Sequence, residues 1–498
     1  MGFLLFICTG FFLFHSFHFY QRCNAKSSFA ESYLFVVICL TLCVLVFTEA
    51  LSLFALINTA SLHLLWLCIA LFSFFFWWKN TDKRLRPALN GTLNFRLPVM
   101  CIVIVLLTTL LIALFAYPNN WDSMTYHLSR VMHWTQNGHV NHYATHIERQ
   151  ISQPPLAEYF ILHFYLLSGI DRLANLVQWF FMSGTLAVVW LIAKEWKAEN
   201  TTATLAVLFA VLLPMGILQS SSTQNDYVVS FFIGSSILFL LRAIALRFPL
   251  YQVIFFSISV SLACMAKGTA YIFLIPVVVV YGIYALKHFG WKVYLPLCIG
   301  VLFYAGINGA FVLRNYHTFG HPLATDITLL NEDMGMQALF SNAAKNTAMH
   351  LLTPFDNINN MVTAAVEVIH ILIRVDINDK RFNWQFSPEF GSAQSTLHED
   401  YAGNPLQLVL LVIVILLMLL RWRKEPALHM VYAAILIAML CIFSLVLKWQ
   451  VWHFRLHLPL FIIAAPLLAV FVARCKQVFQ NAIVILFMFY ALPFLWYN

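Results

Sequence analysis

Two acids and two cations carry the chemistry this sequence can offer: Asp122, Asp226, Lys267 and Arg455 each stand at a junction between long apolar runs. A carboxylate in such a place can take a proton, and a guanidinium or ammonium group can hold a phosphate. The string Asn119-Asn120-Trp121-Asp122-Ser123-Met124-Thr125-Tyr126-His127-Leu128-Ser129-Arg130-Val131-Met132-His133-Trp134 is amphipathic. A period of 3.6 puts Asp122, Tyr126, Arg130 and His133 on one stripe and Met124, Leu128 and Val131 on another, as in a helix lying in the membrane interface with its polar face toward a cavity. Asp122 also stands where an N-cap would, so capping and proton transfer are both open readings for it. Asp226 either caps a helix that begins near Val228 or serves the site. Lys267 and Arg455 either hold phosphate or snorkel to the headgroups.

Three further stretches belong with these residues. In Gln153-Pro154-Pro155-Leu156-Ala157-Glu158 the spacing predicts a helix from Pro155 to near Gly169, too short at ~21 Å to cross a bilayer. Ser220-Ser221-Ser222-Thr223-Gln224-Asn225-Asp226-Tyr227 forms a polar junction, and a second junction, Lys448 to His457, contains His453, Arg455 and His457. His142 and His146 have the i, i+4 spacing of metal ligands, but no HExxH-like signature accompanies them. No metal ligand and no cofactor is assigned.

The elements that must position these groups are membrane helices. The chain of 498 residues is 61% hydrophobic and only 10% charged, which excludes a soluble domain of this size. Its net charge of +8 does not point to nucleic acid, because the basic residues are scattered between apolar runs. Apolar runs of about 20 residues predict roughly 14 spans, near 1–20, 33–57, 61–78, 98–117, 172–193, 202–219, 228–246, 251–266, 269–286, 293–312, 405–421, 427–447, 457–473 and 478–497. The first run lacks a basic start and a small-residue cleavage site, so a retained helix is expected.

Basic residues fix the orientation. One alternate set of loops, from Arg22 and Lys26 to Arg474 and Lys476, holds 18 of the 29 lysines and arginines, and this face is read as cytoplasmic. Asp122, Asp226, Lys267 and Arg455 then share the outer face. Four units follow: accessory helices over 1–97, a membrane module over 98–312 that includes the outer loop 118–171, a long outer loop over 313–404, and C-terminal helices over 405–498.

An Asp just after a span, a Pro-Pro-Leu helix and an Asp at the next outward junction resemble the GT-C class of membrane glycosyltransferases, in particular its protein O-mannosyltransferase and aminoarabinose-transferase branch. The strings Asp-Ser-Met-Thr-Tyr-His-Leu, Gln-Pro-Pro-Leu-Ala-Glu and Ser-Thr-Gln-Asn-Asp are also similar to a group of bacterial membrane proteins assigned to that class. The resemblance covers about residues 98–312, and more weakly Arg455 to Pro466. It implies an all-α, GT-C-like polytopic bundle with interfacial helices in the first large outer loop. It also implies transfer of a sugar, with inversion, from a polyprenyl-phosphate donor to a glycan, lipid or protein acceptor. The implied place is the outer face of a bacterial inner membrane.

In that setting Asp122 is the expected base, Lys267 and Arg455 the expected phosphate ligands, and Tyr126, Arg130, His133, Asp226 and His457 further substrate contacts. A divalent ion enters only because some members of the class use one. The branch commonly has Asp-Glu where this chain has Asp122-Ser123, so a second acid is not carried over. The rival from another class is a secondary transporter or flippase of a lipid-linked or anionic substrate, but transporters place their ionisable groups near the midplane. A ligase joining lipid-linked glycans would share the same outer-face chemistry.

Overall fold

The computed structural model describes residues 2–23, 28–80, 97–324, 326–391 and 397–498. Lys26, Lys83, Arg84, Arg86 and Arg96, all used in the orientation argument, lie outside the described residues. The described chain is helical, with no strand and only the isolated bridges Leu330 to Leu447 and Asn383 to Trp449.

The helices α1 (Gly2–Cys23), α2 (Phe29–Leu53), α3 (Thr59–Asn80) and α4 (Leu97–Phe115) precede a segment of short helices. That segment holds a π-helical turn (Ser123–His127), α5 (Leu128–Asn137), α6 (Arg149–Ser152) and α7 (Leu156–Ser168). Next come α8 (Leu176–Glu195), α9 (Asn200–Val211), α10 (Pro214–Gln219), α11 (Asp226–Ala245), α12 (Leu250–Ala266), α13 (Thr269–Phe289) and α14 (Tyr294–Phe319). The long segment after α14 carries α15 (Met336–Ala348) and α16 (Asp356–Ile373), and the chain ends with α17 (Pro405–Leu420), α18 (Ala427–Val446), α19 (His453–Leu456), α20 (Leu458–Val472) and α21 (Gln477–Trp496).

Among the described residues nine stretches are long and apolar enough to cross a membrane, and one of them, Thr269–Phe319, contains both α13 and α14. The protein is an integral membrane protein. Helices α9, α12, α17 and α20 fall where spans were expected but are shorter. The run expected over 202–219 is broken: Leu213 is extended and Pro214 starts a new helix. A proline has no N–H for the ladder and clashes with the preceding turn, so it opens α10 instead of continuing α9.

Two acids of α2 mark the two ends of the bundle. Arg242 at the end of α11 pairs with Glu31 at 2.6 Å, and Arg314 near the end of α14 pairs with Glu49 at 2.8 Å. The two acids are 18 residues apart, or ~27 Å along a helix, close to the thickness of the hydrocarbon core. Between these ends α11 is buried along almost its whole length against α8, α12 and α20. Its serines 230, 235 and 236 satisfy themselves on carbonyls one turn back, which lets a polar helix interior sit in apolar surroundings.

The region 118–171 contains the two short helices expected there, and none of the nine spanning stretches lies in it. Helix α7 begins after Pro155 and ends at Gly169, whose φ of 77° places it in the left-handed C-cap conformation. Its side chains are nearly all inside protein, not in headgroups: His163 receives the Trp66 indole N–H at 3.0 Å and pairs with Thr48 at 2.9 Å. Helices α1 to α3 thus wall in α7.

Gly138 ends α5 in the same left-handed way, with φ 71°, but in a crowded place. A Cβ there would stand 2.6 Å from the Ala55 carbonyl oxygen, whereas around Gly169 there is open space. Gly169→Ala should therefore cost roughly 1 kcal/mol for the left-handed backbone alone, and Gly138→Ala about 2 to 4 kcal/mol, because a steric clash is added. Thermal unfolding of both variants in detergent checks the order.

Candidate active site

The site forms where the chain leaves α4 and enters the π-helical turn. Asn120 accepts the backbone N–H of Ser123 at 2.6 Å, and the Ser123 hydroxyl bonds that of Thr223. Single π turns inside α-helices insert an extra residue and turn side chains that a regular helix would point elsewhere. Here the turn buries Ser123 and His127 together with Asp122, Tyr126 and Arg130. It also splits the expected apolar stripe: Met124 is exposed, Leu128 is half-buried and Val131 is fully buried. The polar stripe therefore meets protein groups and not an open cavity.

Asp122 makes no capping bond. Its carboxylate accepts Arg455 Nη2 at 2.6 Å, Gln224 Nε2 at 3.2 Å and Arg149 Nη1 at 3.3 Å. Burial works to raise its pKa, but Arg455, with help from His127 and Gln224, holds the carboxyl well below the usual range. Asp226 is likewise no cap; it accepts Lys267 Nζ at 2.5 Å, and its second oxygen is buried without a hydrogen-bond partner. Arg455 Nη1 lies 3.2 Å from Asp400, and Arg455 Nε has no hydrogen-bond partner. Both cations are sequestered in ion pairs, so neither snorkels. The four residues meet at one end of the bundle, as their topology requires.

The other expected contacts separate into two groups. Tyr126 is buried beneath the Arg149 guanidinium, 5.2 Å from its ring centre. Arg130 belongs to the frame: it donates twice to the Gln153 carbonyl, at 3.1 Å each, and to Glu158 at 3.2 Å. His127 Nδ1 meets the same Glu158 oxygen at 2.8 Å, so the two strings around Asp122 and Pro155 are halves of one buried bracket. His133 stacks on Tyr143 and does not reach the cluster. His457 pairs with His350 at 3.0 Å in a buried group beside His453, behind Arg455. Among the described residues no group of three or more His, Cys, Asp or Glu is set to hold a metal ion, and His142 bonds Thr318.

Sequence reasoning did not select Glu158, His127, Gln224, Arg149, Glu399 or Asp400. The last two arrive from the end of the long segment after α14. That segment is anchored on the C-terminal end of α18, where Asn342 donates to the Ser444 and Leu447 carbonyls and Lys448 pairs with Glu332. Glu399 accepts Asn120 Nδ2 at 3.4 Å, and its backbone carbonyl accepts Gln219 Nε2 at 2.9 Å. Burial pushes the Glu399 carboxyl up to about 7, with Asp400 adding to the rise and Arg455 opposing it.

No protein-family model and no curated protein matches the chain. A solved structure does: ArnT from Cupriavidus metallidurans bound to undecaprenyl phosphate, with a TM-score of 0.52 and 12% sequence identity over 78% of this chain and 62% of that one. The fold is GT-C-like. The chain spans about six-tenths of the length of that structure, and the likeness at this identity is one of architecture.

The bracket around Glu158 gives a stability prediction. Glu158 and Arg130 are 0% and 2% exposed, so Glu158→Ala leaves a buried guanidinium without its counter-charge and should cost about 3 to 5 kcal/mol. Arg149 is half exposed, and Arg149→Ala should cost under about 1 kcal/mol. Unfolding of the two purified variants in one detergent measures the difference.

Proposed function

We propose that the protein is an inverting glycosyltransferase that moves a sugar from a polyprenyl-phosphate donor to the hydroxyl of a glycan, lipid or protein acceptor. The reaction takes place at the outer face of a bacterial cytoplasmic membrane. The observation that carries this reading is the buried constellation of Arg455 and Lys267 with Asp122 and Asp226 at one end of a membrane bundle. Its architecture is shared with a protein whose structure holds undecaprenyl phosphate. A phosphate carried on a membrane lipid lies at that depth, and two buried cations suit it.

The chemistry needs a group to take the acceptor's proton and positive charge to stabilise the departing phosphate. In the resting site the cations are neutralised by carboxylates. An incoming phosphate takes up Arg455 Nε and Nη1, neither of which has a hydrogen-bond partner, and competes with Asp226 for Lys267 Nζ, while Asp122 keeps Nη2. Tyr126 and Asp226 line the same cluster and contact the donor or acceptor. Asp122 enters through Arg455, because its carboxylate fixes the guanidinium that holds the phosphate.

A transporter or flippase reading finds less support, since transporters bind near the midplane and these charges lie at the bundle's end. The test is turnover of a labelled polyprenyl-phosphate sugar by protein in nanodiscs. Arg455→Ala should weaken donor use at least tenfold, the loss of a charge-assisted bond of about 1.5 to 3 kcal/mol, and since Asp122 also loses a counter-charge the comparison is made at a temperature where unfolding curves show the variant folded. Unchanged donor dependence in that variant would remove Arg455 from the phosphate site.

A further inference from the structure

Two carboxylates at the site differ in how much of their capacity to accept protons is in use. Asp122 accepts three donors, two of them guanidinium groups, and is buried. A carboxylate has about four lone-pair positions, so Asp122 is nearly saturated. Glu399 is half-buried and accepts one long bond, 3.4 Å from Asn120 Nδ2. Three separate elements nevertheless fix it beside the reaction centre. Asn120, two residues before Asp122, touches its carboxylate; Gln219 at the end of α10 holds its backbone; and its neighbour Asp400 pairs with Arg455.

We infer that Glu399, and not Asp122, takes the proton of the acceptor hydroxyl, while Asp122 is a positioning residue for Arg455. This rests on the glycosyltransferase reading above. The acceptor oxygen forms the new bond to the anomeric carbon, and the bond from that carbon to the phosphate oxygen breaks. The electron pair leaves with the polyprenyl phosphate, and the acceptor's proton passes to the Glu399 carboxylate, from which water removes it. The partly exposed side of Glu399 is where an acceptor would approach.

The basicity of Glu399 suits the task. A general base works best with a pKa near the working pH, which is where burial and Asp400 bring this group, whereas Arg455 depresses Asp122. The charged groups that act on Glu399 are Asp400 on its own segment, Arg455 at α19 and Asp122 before the π turn.

The experiment compares turnover against pH, with saturating polyprenyl-phosphate sugar, for wild type, Glu399→Gln, Glu399→Asp and Asp122→Asn, with donor binding measured on each protein. Wild-type turnover should climb about tenfold per pH unit below about 7 and level off above it. Glu399→Gln should bind donor normally, lose about 10² to 10⁴ in turnover and lose the acid limb. Glu399→Asp should keep the limb with part of the rate. Asp122→Asn should keep the limb while donor binding weakens. Donor binding shows that a dead variant is folded. If Glu399→Gln turns over near the wild-type rate, or Asp122→Asn is the variant that loses the limb, the inference is overturned while the glycosyltransferase reading stands. If wild type moves no sugar from any polyprenyl phosphate, both fall together.

Discussion

The site depends on the ion pair between Asp122 and Arg455, whose atoms approach to 2.6 Å with both side chains largely out of water. Charges buried in this way cost several kcal/mol each to dehydrate, and they persist only when each finds its opposite. Around this pair the charges nearly balance, with Glu399 as a further acid beside them. Asp122, Asp226 and Asp400 face Arg149, Lys267 and Arg455. Adding a phosphate to such a set does not require a new positive charge; it requires one carboxylate to give up its partner. On the proposed reading the resting network is preorganised for such an exchange, and its donors need little rearrangement.

The rest of the fold keeps that pair in place. The π turn points Asp122 and His127 inward, and Arg130 and His127 lock the turn to Glu158 on α7. Helix α7 is in turn held by α1 to α3 through His163, Thr48 and Trp66, and Arg314 joins Glu49 to the Tyr159 hydroxyl. The first three helices thus support the site from behind. The long segment after α14 closes on it with Glu399 and Asp400, using α18 as its footing. Residues more than 300 positions apart, such as Asp122 and Arg455, meet because several stiff helices end at the same membrane face.

Much of this was legible in the sequence because it rests on local signals. Apolar runs locate helices, Pro155 and Gly169 bracket α7, and the alternation of basic loops places Asp122, Asp226, Lys267 and Arg455 on one face. The rest was hidden for physical reasons. A regular 3.6-residue period cannot register a π turn, so Ser123 and His127 were left off the inward face and Val131 was expected in the headgroups. His133 shares the stripe with Asp122 yet lies three turns on, where Tyr143 is its neighbour. Glu399 and Asp400 come from an irregular stretch whose position is set only by tertiary contacts. Asp122 and Asp226 both occupy cap-like positions, and only their distances to Arg455 and Lys267 show that they are paired instead.

The account's central claim is that a lipid-borne phosphate takes up the open donors of Arg455 and displaces Asp226 from Lys267. An experimental structure of the protein in nanodiscs with a polyprenyl phosphate bound tests it most directly. The account predicts the phosphate within hydrogen-bond distance of Arg455 and Lys267, with Asp122 still on Arg455 and the contact between Asp226 and Lys267 lengthened or broken. A phosphate bound at the opposite membrane face, or one that leaves both ion pairs intact, would contradict it.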